Sequence, residues 1–87
     1  MLESIVCLLE MGLAKHPILL PDGAKITAPF HELPIYILNL SRDYENYNIK
    51  IFGQSEYAEQ VVEGIKEEEI KQYGKNLLNI EIIGGNK

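Results

Sequence analysis

The residues best suited to acid–base chemistry lie in the first half of the chain. His31 and Glu32 are adjacent, and His16 and Asp22 precede them in the same proline-rich segment. Imidazole and carboxylate groups exchange protons in catalysis only when they lie within hydrogen-bond reach of each other and of a substrate. No spacing in this segment enforces that reach, so we interpret these side chains as surface or loop-anchoring groups and predict no catalytic residue.

Thiol, metal and phosphate chemistry have equally little support in the sequence. Cys7 is the single cysteine, which leaves neither a disulfide framework nor a cysteine-based zinc site. We expect the neighbouring carboxylates of Glu3 and Glu10 to raise the pKa of the Cys7 thiol and to blunt its nucleophilicity. Gly84 and Gly85 do not precede a helix that could bind a phosphate. The sequence therefore predicts no metal and no cofactor.

Composition describes an acidic protein that can build one hydrophobic core. The 87 residues are 46% hydrophobic and 24% charged, which favours a single globular domain over residues 1–87, with residues 84–87 as a frayed tail. The formal charge is -5 and no segment gathers lysine and arginine, so neither nucleic acid nor a membrane is an expected partner. The lone cysteine and the lack of a basic leader predict a cytoplasmic location.

The N-terminal segment, residues 2–14, is predicted to be a helix with an unusually wide apolar surface. At about 100° per residue, its apolar side chains cover an arc of roughly 220°, whereas packing one face on a core needs about 100°. Leu8 and Met11 lie at the margin of this arc, so we predict that they face water in a monomer. Such exposed apolar surface commonly marks an interface. The alternative is that the proline-rich segment folds back over both residues and makes them core.

Strands and one further helix are predicted after this helix. A hairpin turn is expected at Pro21-Asp22-Gly23, with Gly23 in the left-handed conformation. Residues 34–40 read as a central strand that starts at Pro34, residues 41–46 as a polar loop, and residues 47–52 as a half-exposed strand. We predict a helix from Ser55, as its N-cap, to Tyr73, with Gly74 as its stop, and then a strand over residues 77–83.

This pattern predicts an α+β two-layer sandwich. A mixed sheet of four or five strands carries the N-terminal helix and the long helix, at about residues 55–73, on one face. The order of the strands cannot be read from the sequence.

Two surfaces are predicted beside the N-terminal segment. The loop after the central strand combines both charges with tyrosine and arginine, which are enriched in protein interfaces, and its interface candidates are Arg42, Tyr44 and Tyr47. The long helix carries an acidic stripe about 16 Å long, formed by Glu56, Glu59, Glu63 and Glu67. Such a stripe is usually a solvated face, and the alternative is an electrostatic contact with a basic partner.

These observations favour a small, non-enzymatic interaction protein, such as an accessory subunit, regulator or inhibitor. It would act through a surface, with a protein partner or as a homo-oligomer. The alternative is a small hydrolase or ligand-binding enzyme whose site is assembled in the 31–43 region, from His31, Glu32, Arg42 and Asp43. A deep pocket that joins those four side chains would favour the enzyme, whereas scattered exposed side chains would favour the interaction protein.

Overall fold

The computed structural model describes residues 4–10, 12 and 14–84. Within these residues, five strands and two helices follow one another in this order: β1 (Ile5–Leu8), β2 (Lys15–Leu19), β3 (Lys25–Pro29), α1 (Leu33–Tyr44), β4 (Asn48–Gly53), α2 (Ser55–Tyr73) and β5 (Asn79–Gly84). The strands form a single sheet in the order β3-β2-β1-β4-β5. β1, β4 and β5 are parallel neighbours, whereas β2 pairs antiparallel with both β1 and β3.

Both helices pack on the same face of the sheet. The buried cluster joins Leu33 and Ile37 of α1 with Ala58, Val61 and Ile65 of α2. The strands contribute alternate residues to this cluster, as the pleat of a sheet requires: Ile5, Cys7, Ile18, Ala28, Ile49 and Ile51. The predicted two-layer α+β fold with a mixed sheet is confirmed.

The predicted N-terminal helix is wrong, because residues 5–8 form β1 in the centre of the sheet. A short apolar run cannot be assigned to helix or strand by periodicity alone. Here Ile5 and Cys7 point into the core, and Val6 and Leu8 point to the opposite face, so apolar residues on both sides suit a central strand. Gly12 then takes a φ of +84°, which an α-helix cannot accommodate.

Residues 34–40, predicted to be a strand, lie in α1, and so does most of the predicted loop 41–46. The buried residues of α1 recur at helical spacing, as Leu33, Ile37, Leu38 and Ser41. Pro34 occupies the first turn of this helix, where a missing backbone N–H costs nothing. The same proline is tolerated at the start of a strand, so it did not distinguish the two structures.

The hairpin between β2 and β3 is confirmed. The backbone N–H of Leu20 donates to Ala24 O, that of Gly23 donates to Leu20 O, both at 2.9 Å, and Gly23 has a φ of +94°. The bounds of α2 match the prediction, and Gly74 ends the helix in the left-handed conformation. The N-cap, however, is Gln54, without a side-chain cap, and not Ser55. Gly84, predicted to be frayed, pairs with Gly53 in β5, while residues 85–87 lie outside the described residues.

Candidate functional site

One candidate surface is the face of the sheet that points away from the helices. Its apolar side chains are absent from the buried cluster and from the residues packed against that cluster: Val6, Leu8, Pro17, Leu19, Phe52 and Ile83. The charged residues of the same face are Lys15, Lys25, Lys50 and Glu81. We call these ten residues the open sheet face. Phe52 is 37% exposed, and the other five apolar residues are half-buried. No element in the described part of the chain covers this face.

Strand register brings these apolar side chains together. Leu8 lies opposite Phe52, and Phe52 lies opposite Ile83, so three apolar residues cross β1, β4 and β5 in one row. On the same face, Val6 lies opposite Leu19 of β2, the neighbour of β1 on the edge away from β4. Neighbouring strands are about 4.8 Å apart, so the side chains form a continuous apolar strip centred on β1.

Lysines lie on both sides of this strip. Lys50 on β4 lies opposite Val6, and Lys25 on β3 lies opposite Leu19, while Lys15 lies at the start of β2. Glu81 on β5, opposite Lys50, is the acidic residue of the same face. Among the described residues of the strands, three lysines against one glutamate give this face a positive charge in a chain whose net charge is -5. The positive charge depends on strand pairing, because the three lysines are far apart in the sequence.

The predicted interface residues of the N-terminal segment have separate outcomes. Leu8 lies on the open sheet face and is half-buried, although it belongs to a strand and not to a helix. Met11 lies outside the described residues. Sequence reasoning missed the remaining apolar members of the face, because a helix assignment for residues 2–14 hides the alternation of Val6 and Leu8 with Ile5 and Cys7.

The other interface candidates lie around the C-terminal end of α1, in a helix and its exit rather than in a hairpin loop. Arg42 is exposed and its guanidinium donates to Asn39 Oδ1 at 3.3 Å. Tyr44 packs against the core and its hydroxyl donates to Asp22 Oδ2 at 2.9 Å. Tyr47 is 45% exposed. Tyr44 therefore has a structural role that the sequence pattern did not indicate.

The acidic stripe on α2 is fully solvated. Glu56, Glu59, Glu63 and Glu67 are all exposed. Beside this stripe, Lys71 Nζ lies 3.7 Å from Glu68 Oε2. Glu69 does not belong to this stripe, because its side chain is fully buried.

The four residues of the alternative enzymatic site do not converge. His31 and Glu32 precede α1, whereas Arg42 and Asp43 lie in its last turn, and all four are exposed. Ten residues of helix separate the two pairs by about 15 Å. Proton transfer between them is therefore excluded in this arrangement.

Cys7 lies at the centre of the core and is fully buried. Burial raises the pKa of its thiol to about 12, because the thiolate would lose its hydration. The expected direction of the shift is confirmed, and its cause is desolvation rather than the neighbouring carboxylates. A thiol that stays protonated and inaccessible is a poor nucleophile.

The chain matches no protein-family model, no curated protein and no solved structure. Among the described residues, no group of three or more histidine, cysteine, aspartate or glutamate side chains could hold a metal ion. In the same part of the chain, no helix combines the length and the apolar character needed to cross a membrane.

Proposed function

We propose that this protein is a small interaction module whose open sheet face binds an acidic amphipathic helix of a partner protein. The observation that carries the proposal is an apolar strip along β1 with a lysine on either side, Lys25 on β3 and Lys50 on β4. An exposed apolar patch rimmed by charged residues is typical of a protein interaction site. We also propose a cytoplasmic setting, in which the single thiol stays reduced.

The geometry of a sheet supports a helix as the occupant. Parallel strands commonly have helices on both faces, and β1, β4 and β5 of this sheet are parallel and carry helices on one face. The longest strands of the sheet have six residues, or about 20 Å. A helix of about 13 residues has the same length.

Charge selects an acidic helix over a second copy of the chain. Two open sheet faces brought together would place Lys15, Lys25 and Lys50 of each copy in one interface, with a single Glu81 per copy to balance them. A helix whose apolar stripe lies on Val6 and Leu8 would present its flanks to Lys25 and Lys50 instead. Glutamates on those flanks would make complementary contacts, which favour association and fix orientation.

The proposal is tested with a designed helical peptide of 14 residues that has an apolar stripe flanked by glutamates. A matched peptide carries lysines at the same flanking positions. We expect the acidic peptide to bind at least ten times more tightly than the basic one, with the chemical-shift changes confined to the open sheet face. Binding should weaken as salt is added, because surface charges are screened.

Substitutions separate this surface from the rest of the molecule. Phe52→Ala should weaken binding of the acidic peptide about tenfold, whereas Tyr36→Ala, at a similarly exposed aromatic residue of α1, should leave it unchanged. Lys50→Glu should weaken binding of the acidic peptide and strengthen that of the basic peptide. Equal binding of both peptides by the wild-type chain would contradict the proposal. A dimer that Phe52→Glu converts into a folded monomer would identify a second copy as the occupant and overturn the acidic helix.

A further inference from the structure

The structure contains a second candidate site, which lies at one edge of the sheet and is separate from the open sheet face. A cavity of about 240 Å³ lies beyond the carboxyl ends of β1 and β4, beside the first turn of α2. These two strands are parallel, and β1 also pairs antiparallel with β2. Crevices beyond the carboxyl ends of parallel strands are the usual place for ligands in open α/β sheets.

Aromatic rings form one wall of this cavity. The ring of His16 meets that of Phe30 at a centroid distance of 6.0 Å and an angle of 72°. Phe30 in turn meets Tyr57 at 6.2 Å and 90°. The three rings come from β2, from the turn before α1 and from α2, so three separate elements hold this wall in place. Edge-to-face contacts of this kind stabilise aromatic clusters beyond their buried area.

His16 is the buried polar group of the wall. It is 7% exposed, and its Nδ1 accepts a long hydrogen bond from the backbone N–H of Glu10 at 3.5 Å. The other ring nitrogen, Nε2, can donate or accept a hydrogen bond, according to the tautomer of the ring. Within the described residues, Nε2 has no hydrogen-bond partner. The ring thus brings a polar nitrogen to an apolar wall.

Polar side chains complete the lining. Gln54 supplies an amide that both donates and accepts, Tyr57 supplies a hydroxyl and Glu10 supplies a carboxylate. The lining contains neither lysine nor arginine, so it has no cation with which to hold a phosphate. Pockets for drug-sized ligands have volumes of about 300–1,000 Å³, so this one suits a smaller molecule.

We infer that this cavity binds a flat, uncharged nitrogen heterocycle of nucleobase size. The rings of Phe30 and Tyr57 would contact its faces and edges, and its ring nitrogens and exocyclic groups would pair with His16 Nε2 and the Gln54 amide. This site is separate from the open sheet face, and its occupation does not depend on the proposed partner helix.

Free adenine is the probe, titrated into the isotopically labelled protein. We expect binding with a Kd of about 1 mM, which is ordinary for a ligand of ten heavy atoms. Amide shifts should be confined to Glu10, His16, Phe30, Gln54 and Tyr57. Benzoate, a flat anion, should bind at least five times more weakly. Benzoate that binds more tightly than adenine would show that the N-terminus of α2 selects an anion, and it would overturn the heterocycle.

Gln54 is exposed, and Tyr57→Phe keeps the aromatic ring and removes only the hydroxyl, so neither variant should disturb folding. Gln54→Ala should weaken adenine binding about fivefold, and Tyr57→Phe about threefold. Gln60→Ala, at an exposed position further along α2, should have no effect. The absence of shifts at 5 mM adenine, or equal binding by Gln54→Ala and Gln60→Ala, would overturn the inference.

Discussion

Glu69 Oε2 accepts a hydrogen bond from the backbone N–H of Leu78 at 2.6 Å, and a second from that of Leu77 at the same distance. Glu69 is fully buried in α2, and Leu77 and Leu78 lie in the connection that leads into β5. One carboxylate oxygen therefore satisfies two backbone donors that no ladder pairs. The other oxygen, Oε1, is buried and has no hydrogen-bond partner among the described residues.

We predict that Glu69→Ala destabilises the fold by about 2–4 kcal/mol, because two backbone donors lose their acceptor. Glu59→Gln and Glu63→Gln are the controls. Both residues are exposed on α2, so each change should alter the free energy of unfolding by less than about 0.5 kcal/mol. Urea denaturation checks all three variants. Similar losses at Glu59 and Glu69 would contradict the role assigned to the buried carboxylate.

A second prediction concerns the turn between β2 and β3. Gly23→Val should cost about 1–2 kcal/mol, because a β-branched residue resists the left-handed backbone region. The structure sharpens this expectation, since a Cβ at Gly23 would meet no atom within 4 Å. The whole cost should come from the backbone, so Gly23→Asn should lose much less stability. An unchanged denaturation midpoint for the valine variant would contradict the turn.

The elements that could be predicted from the sequence are those whose ends are set by nearby residues. The Pro21-Asp22-Gly23 turn and the Gly74 stop of α2 depend on backbone preferences of single residues, and both were predicted in place. β1 and α1 were misassigned because their apolar residues fit either period until their neighbours are known. β1 lies between β2 and β4, and only that position explains why both of its faces are apolar.

The same limit applies to the candidate sites. Leu8 was predicted to be an interface residue because of the surplus hydrophobicity of its segment, although its neighbours on the open sheet face come from four other segments of the chain. Lys25 and Lys50 are 25 positions apart in sequence and flank one strip only because of strand order. Long-range pairing of this kind has no local signal. The wall of His16, Phe30 and Tyr57 has the same origin.

Cys7 provides a third prediction, on the alkaline side. Its pKa is about 12 in the folded chain and near 9.0 when unperturbed. As the pH rises, the unfolded chain therefore loses the thiol proton first. The contribution of the buried thiol to the free energy of unfolding is fully present below pH 9 and is lost as the pH rises towards 12. At pH 10 the loss should be about 1.4 kcal/mol. Denaturation of the wild type at pH 8 and pH 10 measures it.

Cys7→Ala isolates this contribution from lysine and tyrosine titration. The variant should lose about 1.4 kcal/mol less than the wild type between the same two pH values. A thiol reagent should modify the wild-type protein only at the rate of unfolding, because the side chain is fully buried. Rapid labelling in native buffer, or identical pH dependence of the two proteins, would be inconsistent with the buried thiol.

Asp22 and Tyr44 give a prediction on the acidic side. The pKa of Asp22 is lowered by the N–H of Ala24, which donates to Oδ1, and then by the Tyr44 hydroxyl, which donates to Oδ2. The same bond raises the pKa of Tyr44. A carboxyl group with a lowered pKa stabilises the folded chain at any pH above its ordinary, unfolded-state pKa. This contribution to the free energy of unfolding is lost as the pH falls through the lower pKa of the folded state.

Tyr44→Phe should therefore raise the Asp22 pKa only part of the way to its ordinary range, because the Ala24 bond remains. Titration of the Asp22 carboxyl carbon by NMR measures the change. Tyr47→Phe, at an exposed tyrosine near the same helix end, is the control and should leave the Asp22 pKa as it is. An Asp22 pKa that does not respond to Tyr44→Phe would show that the bond is not formed in solution.

The last prediction concerns the contact between the two helices. Gly64 of α2 faces Pro34 of α1 so closely that a Cβ built at Gly64 would lie 2.6 Å from Pro34 Cγ and 3.2 Å from Pro34 Cβ. Alanine is favoured over glycine in a helix by about 1 kcal/mol. Overpacking of this kind costs about 1–3 kcal/mol, and the rigid proline ring cannot rotate out of the way.

We therefore expect Gly64→Ala to destabilise the protein by about 1 kcal/mol, despite the gain in helix propensity, because α1 and α2 must move apart. Combining it with Pro34→Ala removes the atoms that the new methyl group would meet, so the double variant should be more stable than the two single losses predict. Gln60→Ala, on the exposed side of α2, reports on helix propensity alone and should stay within about 0.5 kcal/mol of the wild type. Thermal or urea unfolding of the wild type, the two single variants and the double variant completes the double-mutant cycle. If the changes in the free energy of unfolding add, Gly64 and Pro34 are not in contact.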